Sequence, residues 1–183
     1  MKKWLSVLLF LSLWIPTSAM GVNSSKKALI VYYSQSGKNK LIAEYLHSKI
    51  QNSEIKQITT KEEMGFGSLI LKHIVRGGLE IEPVNTDEFD TVIICTPIWL
   101  QMLALPTKVF IEESNLSRKD VYVYITCGGF YGFYNSLREW LSEWNAVVKD
   151  LYVIKAGGKK DEEILNELND HLEETDLLGE KSS

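Results

Sequence analysis

Short apolar segments and amphipathic segments alternate along the chain between residues 27 and 174. Four of the strand-like segments are apolar through most of their length, whereas the second alternates apolar and polar residues. The amphipathic segments carry apolar residues at helical spacing. The pattern predicts strands at residues 27–33, 54–58, 90–96, 120–126 and 150–156, and helices at residues 39–50, 68–78, 106–114, 133–147 and 161–174.

This order of strands and helices predicts an α/β fold, a three-layer arrangement around a doubly wound parallel sheet. Strands that are apolar throughout belong in a parallel sheet that helices cover on both faces, and the half-polar strand at residues 54–58 fits an edge. We expect five strands in the order 2-1-3-4-5. Ligands of such sheets bind at the carboxyl ends of the strands, where the winding reverses. The loops after the first, third and fourth strands should therefore lie side by side.

The loop after the first strand is small and polar, and a predicted helix follows it directly. Its hydroxyls and its glycine, together with the N–H groups at the start of the helix, favour an anion such as phosphate. The alternative is that a serine or the asparagine caps the helix while the glycine makes a turn. The candidate binding residues in this loop are Ser34, Gln35, Ser36, Gly37, Lys38 and Asn39.

Two further loops at the same edge of the predicted sheet carry aromatic residues and glycines. Pro97 fixes the exit of the third strand, and Trp99 offers a flat face on which a planar ring could stack. The alternative for the tryptophan is packing in the core beneath the loop. Paired glycines after the fourth strand let a ligand approach the backbone closely. The candidates are Thr96, Pro97, Ile98 and Trp99 in one loop, and Cys127, Gly128, Gly129 and Tyr131 in the other.

The three loops, which follow the first, third and fourth predicted strands in that order, carry motifs that resemble those of the flavodoxin-like family. Members of this family bind flavin mononucleotide (FMN). The resemblance covers about residues 26–175, and the uninterrupted fifth strand is similar to that of the short-chain members. Asn39 departs from the family pattern, which usually has threonine there. The matching residues are 34–39 with Ala43, 97–99 with Pro106, and the pair Gly128 and Gly129.

The resemblance implies FMN as the cofactor and a role as a one- or two-electron carrier. Two alternatives use the same loops, namely an NAD(P)H-dependent quinone or flavin reductase and a binding module that has lost its flavin. The implied partner is a redox protein or a small electron donor or acceptor. A net charge of −4 and a pI near 5.5 argue against nucleic-acid binding. The three histidines show no metal-ligand spacing.

The amino terminus has the order of segments found in a secretory signal peptide. Lys2 and Lys3 precede an apolar run at residues 4–15, and small residues then lead to cleavage after Ala19 or Gly21. We therefore expect an exported protein, periplasmic or secreted, with no stable membrane insertion after cleavage; an uncleaved membrane anchor is the alternative. The predicted organisation is a signal peptide at residues 1–20, a flavodoxin-like domain at residues 26–175 and a disordered acidic tail at residues 176–183.

The two cysteines stand near the ends of strands predicted to be neighbours. If Asp90 aligns with Asp120, Cys95 lies opposite Ile125 and two residues short of Cys127. Their Cα atoms would then be roughly 8 Å apart, too far for a disulfide. The spacing predicts two reduced, largely buried thiols.

Overall fold

The computed structural model describes residues 26–75, 77–100, 102–129, 134–143 and 146–178. The predicted signal peptide and Tyr131 lie outside these residues. The strands are β1 (Ala28–Tyr32), β2 (Ser53–Gln57), β3 (Thr91–Trp99), β4 (Met102–Leu103), β5 (Asp120–Cys127) and β6 (Val147–Lys155). The helices are α1 (Lys38–Lys49), α2 (Phe66–Ile74), α3 (Leu105–Glu113), α4 (Tyr134–Glu143) and α5 (Asp161–Leu172).

The central sheet confirms the predicted fold class and strand order. Its parallel strands lie in the order β2-β1-β3-β5-β6, which is the predicted 2-1-3-4-5 winding once the short β4 is set aside. Every residue of β1 is buried, as its continuous apolar run predicts. No residue of β2 is fully buried, which agrees with its alternating sequence and its place at the edge.

Two apolar clusters fill the space between the sheet and its helices, one on each face. Helices α2, α3 and α4 cover the first cluster with side chains such as Leu69, Phe110 and Leu141. Helices α1 and α5 cover the second with side chains such as Leu46 and Leu168. The result is the expected three-layer arrangement.

The third strand is longer than predicted, and this changes the setting of Trp99. We expected the strand to end at residue 96, but β3 continues through Trp99. As far as Pro97, which lies opposite Thr126, β3 pairs with the parallel strand β5. Its last two residues pair with the antiparallel strand β4. Trp99 pairs with Met102 across this short ladder. The predicted loop is thus a strand end and a tight reversal, because β5 and the adjacent β4 pair with it.

Other element boundaries shift by a few residues. Helix α2 ends at Ile74 rather than at residue 78. Strand β6 begins at Val147 rather than residue 150, because the Val147 N–H donates to the Lys119 carbonyl at 3.0 Å and extends the ladder with β5.

The register between β3 and β5 differs by one residue from the predicted alignment. Thr91, not Asp90, lies opposite Asp120, since the Asp120 N–H donates to the Asp90 carbonyl. Cys95 consequently lies opposite Tyr124, one residue farther from Cys127 than expected. Both cysteines are buried and free, which confirms two unbridged thiols.

Part of the predicted acidic tail lies within the described residues. Asp176 accepts a hydrogen bond of 2.8 Å from the Tyr122 hydroxyl, and Leu177 packs against the cluster under α1 and α5. Among the helices described here, none is both long and apolar enough to cross a bilayer.

Candidate functional site

A cavity of about 320 Å³ lies at the carboxyl ends of β1, β3, β5 and β6. This is the edge at which ligands bind in doubly wound sheets. Three lining residues were not predicted, namely Thr126, Ala156 and Gly157. The predicted residues that line the cavity are Gln35, Ser36, Lys38, Asn39, Pro97, Ile98, Trp99, Cys127 and Gly128.

The first loop enters helix α1 without a side-chain cap. Gly37 is the N-cap residue and has φ of 84°, a left-handed conformation that glycine adopts without strain. The capping alternative for Ser36 or Asn39 is therefore not what the structure shows. The N–H groups of the first helical turn keep their affinity for an anion, and the positive end of the helix dipole adds to it.

Two polar side chains of this loop have buried atoms without a partner in the described part of the chain. The Ser34 hydroxyl is one, although Ser34 itself does not line the cavity. The other is the Oδ1 atom of Asn39. A buried polar group without a partner is costly, so each marks a place where a bound group would be stabilising.

Asn39 ties helix α1 to strand β5. Its side chain is 2% exposed, and its amide nitrogen lies 2.9 Å from Thr126 Oγ1. The side-chain amide of Asn39 fits the same space when it is rotated by 180°, because its oxygen and its NH₂ group are nearly equal in size. In the flipped orientation Thr126 donates to the oxygen, and the amide N–H becomes the group that seeks an acceptor. Asn39 is thus a structural bridge as well as a wall of the cavity.

The loop after β6 closes the cavity on the side opposite β3. Lys38 reaches this loop, with its Nζ atom 2.6 Å from Asp161 Oδ1 and 3.1 Å from the Lys159 carbonyl. A Cβ atom at Gly157 would stand 2.6 Å from the Gly128 carbonyl oxygen, so only glycine fits at this position. The sequence signal for this wall was the glycine pair that follows the fifth predicted strand.

Trp99 forms part of the cavity wall but is mostly a core residue. Its side chain is 7% exposed and belongs to the cluster under α2, α3 and α4. Its ring makes edge contacts with Tyr33, Phe66 and His73, at centroid distances of 5.5, 5.3 and 6.4 Å. The core alternative therefore holds, while the residue also reaches the cavity.

The remaining predicted residues have other settings. Thr96 is fully buried, and its hydroxyl lies 2.8 Å from that of Thr107 on α3, which anchors the start of that helix. Gly37 and Gly129 are sequence neighbours of residues that line the cavity, but they do not line it themselves. No group of metal-binding side chains occurs within the ranges that the structure describes.

The fold is shared with solved flavoproteins. A flavoprotein from Lactobacillus acidophilus NCFM, solved in complex with FMN, is 26% identical with a TM-score of 0.54; the match covers 70% of this chain and 90% of that chain. The apo form from the same organism is 23% identical, with a TM-score of 0.56 and coverage of 72% and 93%.

A third structure supports the fold alone, because its sequence is distant. It is a Bacteroides uniformis ATCC 8492 protein provisionally described as a flavoprotein, 18% identical with a TM-score of 0.61, and the match covers 79% of this chain and 98% of that chain. No protein-family model and no curated protein matches the chain. The strand order, the position of the cavity and these structural matches show that the chain has a flavodoxin-like fold.

Proposed function

We propose that the chain binds FMN in the 320 Å³ cavity and acts as a one- or two-electron carrier. The observation that carries this proposal is the uncapped start of α1, which stands at the cavity with Ser36, Lys38 and Asn39 in the lining. The flavoprotein from Lactobacillus acidophilus, which is described as a complex with FMN, supports the same cofactor.

The phosphate end of FMN fits the first loop. Ser36 offers a hydroxyl donor, Gly37 lets the backbone wrap, and the first turn of α1 supplies N–H groups. Lys38 contributes less charge than its position suggests, because its ammonium is already paired with Asp161. Backbone amides and hydroxyls therefore carry most of the proposed anion binding.

The flavin ring fits the walls built by β3 and by the two glycine-containing loops. Ile98 and Trp99 supply apolar contact on one side, and the close approach of Gly128 and Gly157 gives a wall of backbone on another. The cavity volume falls within the range of about 300–1,000 Å³ that is typical of small-molecule sites. When bound, FMN supplies the electron-transfer chemistry, and the protein binds, orients and shields it.

The test compares FMN with riboflavin, which lacks the phosphate. Charge-assisted hydrogen bonds contribute about 1.5–3 kcal/mol each, so FMN should bind at least about ten-fold more tightly to the purified chain. Ser36→Ala, at the cavity, should reduce this preference, and Ser48→Ala, on the exposed face of α1, should leave it unchanged. Equal affinities for the two flavins would refute the phosphate assignment.

The three uses of the site that the sequence left open give different results in solution. A carrier takes up FMN but does not sustain NAD(P)H oxidation, whereas a reductase turns over NAD(P)H with a quinone or with free flavin. A binding module without flavin stays colourless when FMN is added. Steady-state NAD(P)H oxidation and an absorbance spectrum therefore separate these functions.

We also propose that the protein is exported and then works with a redox protein or a small electron donor or acceptor outside the cytoplasm. The support is the basic start at Lys2 and Lys3, followed by the apolar run at residues 4–15. Amino-terminal sequencing of the protein from its native host should find a start near Met20 or Val22. An intact Met1 in a soluble cytoplasmic fraction would contradict this.

A further inference from the structure

The loop between β6 and α5, residues 156–160, is a wall of the cavity that has little packing of its own. None of its residues is fully buried, and Gly157 and Gly158 bring no side chain to it. The N–H groups of Ala156 and Gly157 tie it to the sheet by donating to the Cys127 carbonyl at 2.9 and 3.3 Å. A segment that is held by a few hydrogen bonds opens more readily than a packed one. The position of this wall therefore depends on individual polar contacts.

Lys38 joins this loop to the start of α1. Its Nζ atom lies 2.6 Å from Asp161 Oδ1 and 3.1 Å from the Lys159 carbonyl oxygen. An ammonium group has three donors, so two of them are committed to these partners. The ammonium of Lys159 itself is paired with Glu167, farther along α5. We call the contacts of Lys38 with Asp161 and with the Lys159 carbonyl the Lys38 latch.

Two roles are open to a lysine at this place, and the latch separates them. A lysine beside the first turn of a helix could attract the phosphate of a bound nucleotide. Here the carboxylate of Asp161 offsets the charge of Lys38, and the ammonium would have to leave a charge-assisted hydrogen bond to reach another anion. Its contacts instead join two walls of the cavity, because Lys38 lines one and the loop after β6 forms another.

We propose that Lys38 is a positioning residue, which holds the loop at residues 156–160 against α1 and does not bind the phosphate of FMN. The inference rests on the proposed function for its ligand, whereas the latch is a property of the chain without flavin. The wall that the latch holds includes Gly157, which we assign to the flavin ring. FMN and riboflavin share that ring, so loss of the latch should weaken the binding of both to the same degree.

The first test measures the dissociation constants of FMN and riboflavin for Lys38→Met, which keeps a long side chain and removes the charge. Both constants should rise by about two- to ten-fold, and their ratio should stay at the wild-type value. This differs from Ser36→Ala, which should reduce the ratio. Lys40→Met is the matched control on the same helix, because the Lys40 ammonium lies 3.7 Å from Glu44 and takes no part in the latch. It should leave both constants unchanged.

The second test changes the partner of Lys38. Asp161→Asn should weaken both flavins, although less than Lys38→Met, because the contact with the Lys159 carbonyl remains. A phosphate-binding lysine would give the opposite result, since removing the carboxylate would free its charge and strengthen FMN binding. In the Lys38→Met background, Asp161→Asn should have no further effect, whereas an effect through the start of α5 would persist there.

The third test needs no flavin. Hydrogen exchange of the ¹⁵N-labelled chain reports the opening of the loop through the amides of Ala156 and Gly157, which donate to the Cys127 carbonyl. Both should exchange about two- to ten-fold faster in Lys38→Met, while the amide of Ile50, at the far end of α1, should keep its rate. If the wild type bound neither flavin, the proposed function would fail, and these exchange rates would still decide whether the latch exists.

Two results would overturn the proposal. A loss of FMN affinity alone in Lys38→Met, together with tighter FMN binding in Asp161→Asn, would make Lys38 a phosphate ligand. Exchange rates at Ala156 and Gly157 that Lys38→Met does not change would show that the loop keeps its position without the latch.

Discussion

The two helical layers of the protein differ in how completely they cover the sheet. Helices α1 and α5, here called the closed layer, bury their apolar side chains and are tied together by the Tyr45–Asn169 hydrogen bond of 2.8 Å. Helices α2, α3 and α4 form the open layer. Large apolar side chains that stay exposed in the described chain occur mainly on α2 and on the β3–β4 reversal beside it: Phe66, Leu71, Ile74, Val75, Leu100 and Met102.

The difference separates residues that hold the fold from residues that are available for binding. None of the exposed large apolar side chains lies on α1 or α5, so the closed layer has completed its packing within the described chain. The open layer combines a full core beneath α3 with uncovered apolar surface on α2. Contiguous apolar surface of this kind marks a binding site more often than single exposed residues do. A cavity of about 820 Å³, lined by residues of α2 and α3, lies within it.

The largest expected effect is at Trp99, where the open layer meets the cavity at the carboxyl ends of the strands. Trp99→Ala should lower the free energy of unfolding by about 3–5 kcal/mol, because it removes a ring that is 7% exposed and contacts three other rings. Urea unfolding measures this. It should also weaken FMN binding when the folded fraction alone is counted, since the ring lines the cavity.

The sequence led us to place Trp99 on a loop, whereas the structure puts it at a strand end within the core. Trp99→Phe supplies the control, since it keeps an aromatic ring in the cluster and should cost much less stability. If Trp99→Ala unfolds at the same urea concentration as the wild type, the ring has no packing role, and the open layer is looser than its contacts indicate.

The second prediction sets one leucine of each layer against the other. Leu46 of α1 is fully buried, so Leu46→Ala should cost about 2–5 kcal/mol of unfolding free energy. Leu71 of α2 is 61% exposed, so Leu71→Ala should change it by no more than about 0.5 kcal/mol. Denaturant unfolding of both variants measures these changes. If the two variants lose similar amounts of unfolding free energy, the layers do not differ in the way proposed.

Much of the fold could be predicted because its signals are local. The continuous apolar runs of β1, β3 and β5 and the helical spacing of α1 and α5 are each contained within about a dozen residues. The loop at residues 34–39 was found for the same reason. These segments lie mostly in the sheet and the closed layer, where pattern and packing agree.

The parts that sequence reasoning missed depend on contacts between distant segments. The third strand runs past its predicted end because Pro97 pairs with Thr126 of β5. Thr126 entered the site through its contact with Asn39, 87 residues earlier in the chain. Gly157 is required by its approach to Gly128, which no local pattern records. Register and loop-to-loop approach are properties of the assembled sheet.

The third prediction tests that loop-to-loop approach with a matched pair of glycine substitutions. A Cβ at Gly157 would clash with the Gly128 carbonyl, so Gly157→Ala must push the loops after β5 and β6 apart, at a cost of about 1–3 kcal/mol. A Cβ at Gly128 meets nothing within 4 Å, so Gly128→Ala should be tolerated. FMN affinity should fall in the first variant more than in the second. Equal losses would show that the cavity does not depend on this contact.

The smallest expected effect is the pH dependence that His73 gives to the open layer. Burial and the charge of Lys108 lower the pKa of His73 below its ordinary value of 6.5. Above that pH the ring is neutral in both the folded and the unfolded chain, and its contribution to stability is fully present. As the pH falls through 6.5, the unfolded chain binds a proton that the folded chain resists, so the free energy of unfolding decreases.

His73→Gln cannot titrate and serves as the reference at each pH. The stability of the wild type relative to this variant should therefore fall between about pH 7.5 and pH 5.5, measured by urea unfolding. A relative stability that is constant, or that rises as the solution is acidified, would mean that the ring accepts its proton as readily in the folded state, and that the interior of the open layer is wet.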